Sequence, residues 1–332
     1  MKRFLPVLAL TLFGVAAAHA DVPACTGTNL LAKYKAEQPA GYEEVMREAA
    51  AIPNGEAMFW KIEKDGVAPS WLLGTAHVSD DRVNDLTPDI KNALLNASSA
   101  SFEIEEIGDR TREAAGVMKV AKYIVLPPGQ SLWDLVPDDQ EPQIRDNPNL
   151  PEGMGKTLFG YQPWFVATLI SSPLCEKLRE QAGMRGLDAN LAMMAREKGI
   201  PVRGLETIEE QMKILADMPL DQQTEFLLSA ARSSALVADQ FETLMALYDS
   251  RQLNALLPLM KRLFPMSPAE AKVYAYVEGD LFVKRNHVMA ERAGPRLAQG
   301  NIFIAVGAMH LPGKEGLVEL LRAQGYKVTP VN

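Results

Sequence analysis

Cysteine and histidine are scarce here, two of one and four of the other in 332 residues. The cysteines, Cys25 and Cys175, are too far apart in sequence for a zinc ribbon. Basic residues are the minority, 34 Lys and Arg against 42 Asp and Glu, a formal net charge of −8, and they form no cluster. That argues against nucleic acid and against anionic membrane surfaces as partners. After the first twenty residues no run of eighteen uninterrupted apolar residues occurs, so no membrane span is expected in the mature chain. HExxH, GxSxG, GxGxxG and Walker-type loops are missing too. A serine or cysteine hydrolase is thereby disfavoured.

What is present begins with "MKRFLPVLALTLFGVAAAHA". Lys2 and Arg3, an apolar stretch and Ala-His-Ala form a secretory signal, with cleavage expected after Ala20. The mature protein should therefore be periplasmic or secreted, and His19 leaves with the leader. In an oxidising compartment Cys25 and Cys175 read either as one disulfide or as two independent buried thiols. An N-terminal segment at 21–54 is expected to precede one domain over 55–332, in which 208–300 reads as a helical insertion or lid.

The patterning predicts α/β architecture, a central mixed sheet with flanking helices. Two apolar stretches flank Asp65-Gly66, a hairpin signal. "LTPDIKNALLNAS" (86–98) predicts a helix capped by Thr87 with Pro88 at its first position. "SASFEIEEI" (99–107) then alternates as a strand. Strand, helix and strand imply a βαβ unit with parallel strands, so His77 and Glu103 should emerge at the same sheet edge. "GLDANLAMMAREKG" predicts a helix started by Asp188 and stopped by Gly199, and "IPVRGLE" a strand ending at Glu206. Residues 111–185 give no clear pattern.

"WLLGTAH" and "IAVGAMH" repeat one local arrangement: apolar strand, glycine, two residues, histidine. Either histidine alone reads most simply as a loop or core residue. Together they suggest a divalent metal, because neutral imidazole is a common ligand and a nearby carboxylate would complete the set. Glu103 is the best candidate carboxylate, since its strand is otherwise built for burial; the alternative is a solvated edge-strand face. Glu206 is a weaker candidate that could be only a loop and helix start. Asp188 reads as an N-cap. Arg285 and Asn286, in "KRNHVMAER", could reach the same cleft, with Arg285 holding a substrate or ligand carboxylate, or belong to a basic surface patch. His287 reads as structural or exposed.

"WLLGTAHVSD", "FEIEE", "GLDANLAMMAREKGIPVRGLETIEEQ", "RNHVMAER" and "VGAMHLPGKEGLVELLRAQGYKVTPV" together resemble the TraB/GumN family, in its exported GumN-like branch. The resemblance runs from about residue 55 to the C-terminus and is least distinctive at 111–160. The family is similar to the Tiki proteins, membrane-anchored metal-dependent proteases. The resemblance implies two Gly-x-x-His motifs and a glutamate needed with manganese or cobalt. These fall on Gly74 and His77, on Gly307 and His310, and on Glu103; Arg285 and Asn286 match a further recurrent polar pair.

The expected function is metal-assisted hydrolysis of an amide bond in a peptide or protein substrate. His77, His310 and Glu103 would bind Mn, Co or Zn at the carboxyl edge of the sheet, with Arg285 or Glu206 assisting. The rival readings are a protein that captures a peptide or pheromone without turnover, and an accessory factor for envelope polysaccharide.

Overall fold

The computed structural model describes residues 24–331. The leader expected at 1–20, with His19, lies outside the described residues. Asp65-Gly66 closes a hairpin between β1 (Phe59–Lys64) and β2 (Val67–Thr75). Gly66 takes φ +76° there, a left-handed conformation that glycine adopts without a Cβ clash. The helix Pro88–Leu95 starts as expected, with Thr87 Oγ accepting from the Ile90 N–H. β3 (Ser99–Ile104), β4 (Val202–Glu206), β5 (Ile302–Gly307) and β6 (Lys327–Pro330) complete a six-stranded sheet.

Its order is β4-β3-β5-β2-β1-β6. The neighbours β4, β3, β5 and β2 run parallel, while β1 is antiparallel to both β2 and β6. The fold is α/β, a mixed sheet with many helices. β2 and β3 do not pair directly, as a simple βαβ reading suggests: β5, from the far end of the chain, lies between them. Its composition suits burial on both faces. Ile302, Ile304 and Val306 enter one apolar cluster with Met289, Leu297 and Leu321, while Phe303 and Ala305 enter another with Leu94, Leu187 and Leu191. Strand side chains alternate between faces, so a strand apolar on both suits a sheet covered on both sides.

Residues 111–185 are largely helical, including Arg110–Ile124, Pro163–Ile170 and Leu174–Gln181. Their apolar side chains, among them Leu132, Ile144 and Ile170, join Leu227, Leu228 and Ala231 in a third cluster. After Arg110–Ile124 the helices there are short and separated by proline-containing loops, which is why no long period marks that stretch. Among the described residues no helix is long and apolar enough to cross a membrane.

Cys25 and Cys175 form a disulfide, with their Cα atoms 5.3 Å apart. Of the two readings of the cysteines, the bonded pair is the one found, and it is consistent with an oxidising compartment. The bond links positions 150 residues apart. Cys175→Ser should therefore lower the unfolding free energy by about 2–5 kcal/mol, chiefly through a less constrained unfolded chain. Urea unfolding of the oxidised protein beside the variant checks this; superimposable curves would remove the contribution.

Candidate functional site

Because β2, β5, β3 and β4 are parallel, they end at one edge of the sheet, and the polar residues converge there. Glu103 is the fifth residue of β3 and Glu206 the last of β4. His77 follows β2 by two residues, and His310 ends the short helical turn Ala308–His310 after β5.

Glu103 is 8 % exposed and engaged through both oxygens. Its Oε1 accepts from the Gly307 N–H at 2.8 Å. Its Oε2 accepts from Arg285 Nη2 at 2.7 Å and from Gln211 Nε2 at 3.1 Å. Arg285 also donates to Glu206, from Nε at 3.0 Å and Nη2 at 2.8 Å, so one buried guanidinium bridges two buried carboxylates. Burial by itself would raise the Glu103 pKa; the contacts with His77, His310 and Arg285 outweigh it and hold the carboxyl well below its ordinary value.

The two imidazoles are anchored alike. His77 Nδ1 donates to Asp188 Oδ2 at 2.7 Å, and Thr75 Oγ1 donates to the other oxygen of the same carboxylate at 2.5 Å. His310 Nδ1 donates to Asn286 Oδ1 at 2.6 Å, while Asn286 Nδ2 donates to the Glu315 carbonyl at 2.7 Å. Each anchor occupies Nδ1 and leaves Nε2 facing Glu103 Oε1, at 3.6 Å from His77 and 3.9 Å from His310. The Asp188 charge raises the His77 pKa well above its ordinary value. That side chain is 56 % exposed, so solvent screens part of the attraction. Burial pushes His310 down to about 4, which keeps it neutral with a free Nε2 lone pair at neutral pH.

Both motif glycines have a local reason. A Cβ on Gly74 would lie 3.0 Å from the Ala308 Cα, so β2 passes directly against the turn carrying His310. A Cβ on Gly307 would lie 3.2 Å from Glu103 Oε1, 3.5 Å from His77 Nε2 and 3.6 Å from His310 Cδ2. It would occupy the space on which the three side chains converge.

Among the described residues no three His, Cys, Asp or Glu side chains are drawn together as a ready-made metal cluster. The donor chemistry nevertheless fits a divalent cation. Two imidazole Nε2 atoms and a carboxylate face one space, and each imidazole carries the kind of Nδ1 partner that orients metal-binding histidines. Three carboxylates, Glu103, Glu206 and Asp188, stand with one guanidinium, and the negative charge that raises the His77 pKa would equally favour a cation in place of the His77 proton. Ligand atoms on one such ion stand about 3.0–3.5 Å apart, a few tenths of an ångström closer than the separations from Glu103.

Several readings change with these positions. Glu103 is not on a solvated edge, since β3 lies between β4 and β5. Glu206 closes a strand and is 5 % exposed. Arg285, 7 % exposed, belongs to no surface patch. Asp188 is not an N-cap: Gly186 holds that position, and Asp188 turns inward to Thr75 and His77. His287 is exposed and pairs with Glu315. Gln211 and Phe282, whose ring centroid is 5.3 Å from that of His310, carry no sequence signal beyond helical patterning.

The chain is similar to several curated metalloproteases. It is 25% identical to Metalloprotease TIKI1 of Danio rerio over 316 residues, covering 82% of this chain and 62% of the relative. Against Metalloprotease TIKI1 of Homo sapiens it is 25% identical over 322 residues, covering 82% and 61%. Against Metalloprotease TIKI2 of Xenopus tropicalis it is 26% identical over 341 residues, covering 86% and 64%. The chain thus spans about three fifths of the length of these relatives. No solved structure matches significantly. The TraB/PrgY/gumN family pattern matches residues 58–330, from the residue before β1 to the end of β6, and the chain belongs to that family.

Proposed function

We propose that the chain is a metal-dependent hydrolase that cleaves amide bonds in peptides or proteins, with His77, His310 and Glu103 holding manganese, cobalt or zinc. The observation that carries this reading is the convergence of two anchored imidazoles and a buried carboxylate on the space beside Gly307. The similarity to metalloproteases supports the reaction class. The disulfide supports an oxidising, periplasmic or extracellular setting.

A divalent cation there supplies Lewis-acid polarisation of a carbonyl and activation of water. The protein's own part is to prepare its donors. Asp188 and Asn286 hold the proton on Nδ1 of each histidine and so fix the tautomer. Arg285 keeps Glu103 ionised and aimed, and Glu206 balances the guanidinium. Glu206 accepts from Arg285 through both oxygens, which suits a positioning role better than proton transfer.

Protein purified without chelator and loaded with manganese, cobalt or zinc should carry stoichiometric metal by elemental mass spectrometry and produce new N-termini in a peptide mixture. His77→Ala and His310→Ala should lose both properties, and His287→Ala should keep both. Metal retained in both histidine variants would sink the assignment; metal with only intact peptide recovered from a stable complex would replace cleavage by capture. Asp188→Asn should weaken metal binding about 10–100-fold in calorimetric titration. Gly307→Ala should fold, with little change in thermal unfolding of the metal-free protein, and fail to load metal; normal loading would show that the open space is not the metal position.

A further inference from the structure

Beside the proposed centre lies a cavity of about 410 Å³. One wall is the wide helical turn Val277–Lys284, whose π geometry is uncommon and often marks functional sites. This turn runs directly into the helix Arg285–Leu297, so the segment that forms the wall also carries Arg285 and Asn286 into the centre. Other walls come from Leu257, on the helix Leu256–Leu263, and from Met309, the residue before His310.

Two contacts and one chain neighbour join this cavity to the centre. Phe282 lines it while its ring lies against His310, with centroids 5.3 Å apart. Asn286 lines it while accepting from His310 Nδ1. Met309, the residue before His310, lines it and is 36 % exposed. The cavity and the centre thus lie on two sides of the same pair of residues, Phe282 and Asn286, both of which touch His310.

Several of the polar groups in its walls are already engaged. Asn254 Nδ2 donates to the Ile52 carbonyl at 3.2 Å, Asn286 is used through both ends of its amide, and the Glu315 carboxylate pairs with His287. Glu278 and Lys314 are exposed. The rest of the lining is mostly apolar, with the Tyr274 hydroxyl, Glu278 and Lys314 as its further polar groups, so an apolar occupant covers more wall than a polar one finds hydrogen-bond partners.

We propose that this cavity is the subsite for a large apolar side chain, Leu, Met or Phe, of a peptide lying across the centre. This rests on the peptidase reading for the peptide, and on the cavity for the preference. It gives the hydrolase a substrate class: peptides with a bulky apolar residue near the bond to be cut.

The test uses acetylated, amidated pentapeptides in a glycine background with Leu, Phe, Ser or Asp at the centre. Binding is measured by calorimetry with metal-free and metal-loaded protein, so turnover is not needed. The Leu and Phe peptides should bind about tenfold or more tighter than the Ser and Asp peptides. Val277→Trp and Leu257→Trp, which fill the cavity from two different helices, should abolish that difference and leave metal loading unchanged. Thermal unfolding checks each variant, and either one that folds suffices. Equal binding of all four peptides, or a preference that survives the substitutions, overturns the subsite even where metal-dependent cleavage is found. A preference lost in the variants, with no cleavage under any metal, supports the subsite and removes only the peptidase reading.

Discussion

A carboxylate inside a sheet covered on both faces needs partners before the sheet can form. Glu103 is that group. Stripped of its partners, a buried carboxylate costs several kcal/mol even after relaxation. Its partners come from across the chain: Arg285 from the helix Arg285–Leu297, the Gly307 N–H from the end of β5 and Gln211 from the helix Ile208–Ala216. Arg296 lies eleven residues beyond Arg285, about three turns along the same helix face. It donates to Ser101, two residues before Glu103 on the same face of β3. Helix and strand are thus matched along their length by polar contacts, and the match sets where Arg285 meets its two carboxylates. A buried ion pair of this kind contributes little net stability but is costly to break. Its consequence is geometric: Glu103 Oε1 is left facing the two imidazoles.

The repeated Gly-x-x-His arrangement follows from the same geometry. β2 and β5 are neighbours paired through Thr75↔Gly307, so the two turns leave the sheet side by side. Their glycines then do different things. Gly74 lets β2 approach the turn bearing His310, and Gly307 keeps the space between the imidazoles and Glu103 clear. One local pattern, written twice, serves once for packing and once for room. The anchors differ as well. A carboxylate holds the more exposed His77, while an amide holds the buried His310, where another charge would be harder to accommodate.

The local features were legible because their causes are local. Asp65-Gly66, Thr87-Pro88 and the alternation around Phe102 identify turn, cap and strand from a few neighbouring residues, and the structure contains each. The candidates His77, His310, Glu103, Glu206 and Arg285 were nameable from residue type and position after strands. The misreadings share one cause. Asp188 carries the signal of a helix cap, and only its partner 111 residues away turns it inward. Residues 126–170 lack a long period because they pack as short helices and turns against the helix Leu220–Arg232, far along the chain.

By itself the sequence determined the α/β class, the cysteine inventory, the two strand–glycine–histidine turns and the acidic character that argues against nucleic acid. Those depend on side-chain chemistry and on spacings within a few residues. Only the tertiary structure decided that β5 lies between β2 and β3, that Cys25 meets Cys175, and that Arg285 joins Glu103 to Glu206. Strand order comes from pairings between segments far apart in the chain, a property of the whole sheet. The buried charges Glu103, Glu206 and Arg285 settle where that sheet and its helices give each of them a partner.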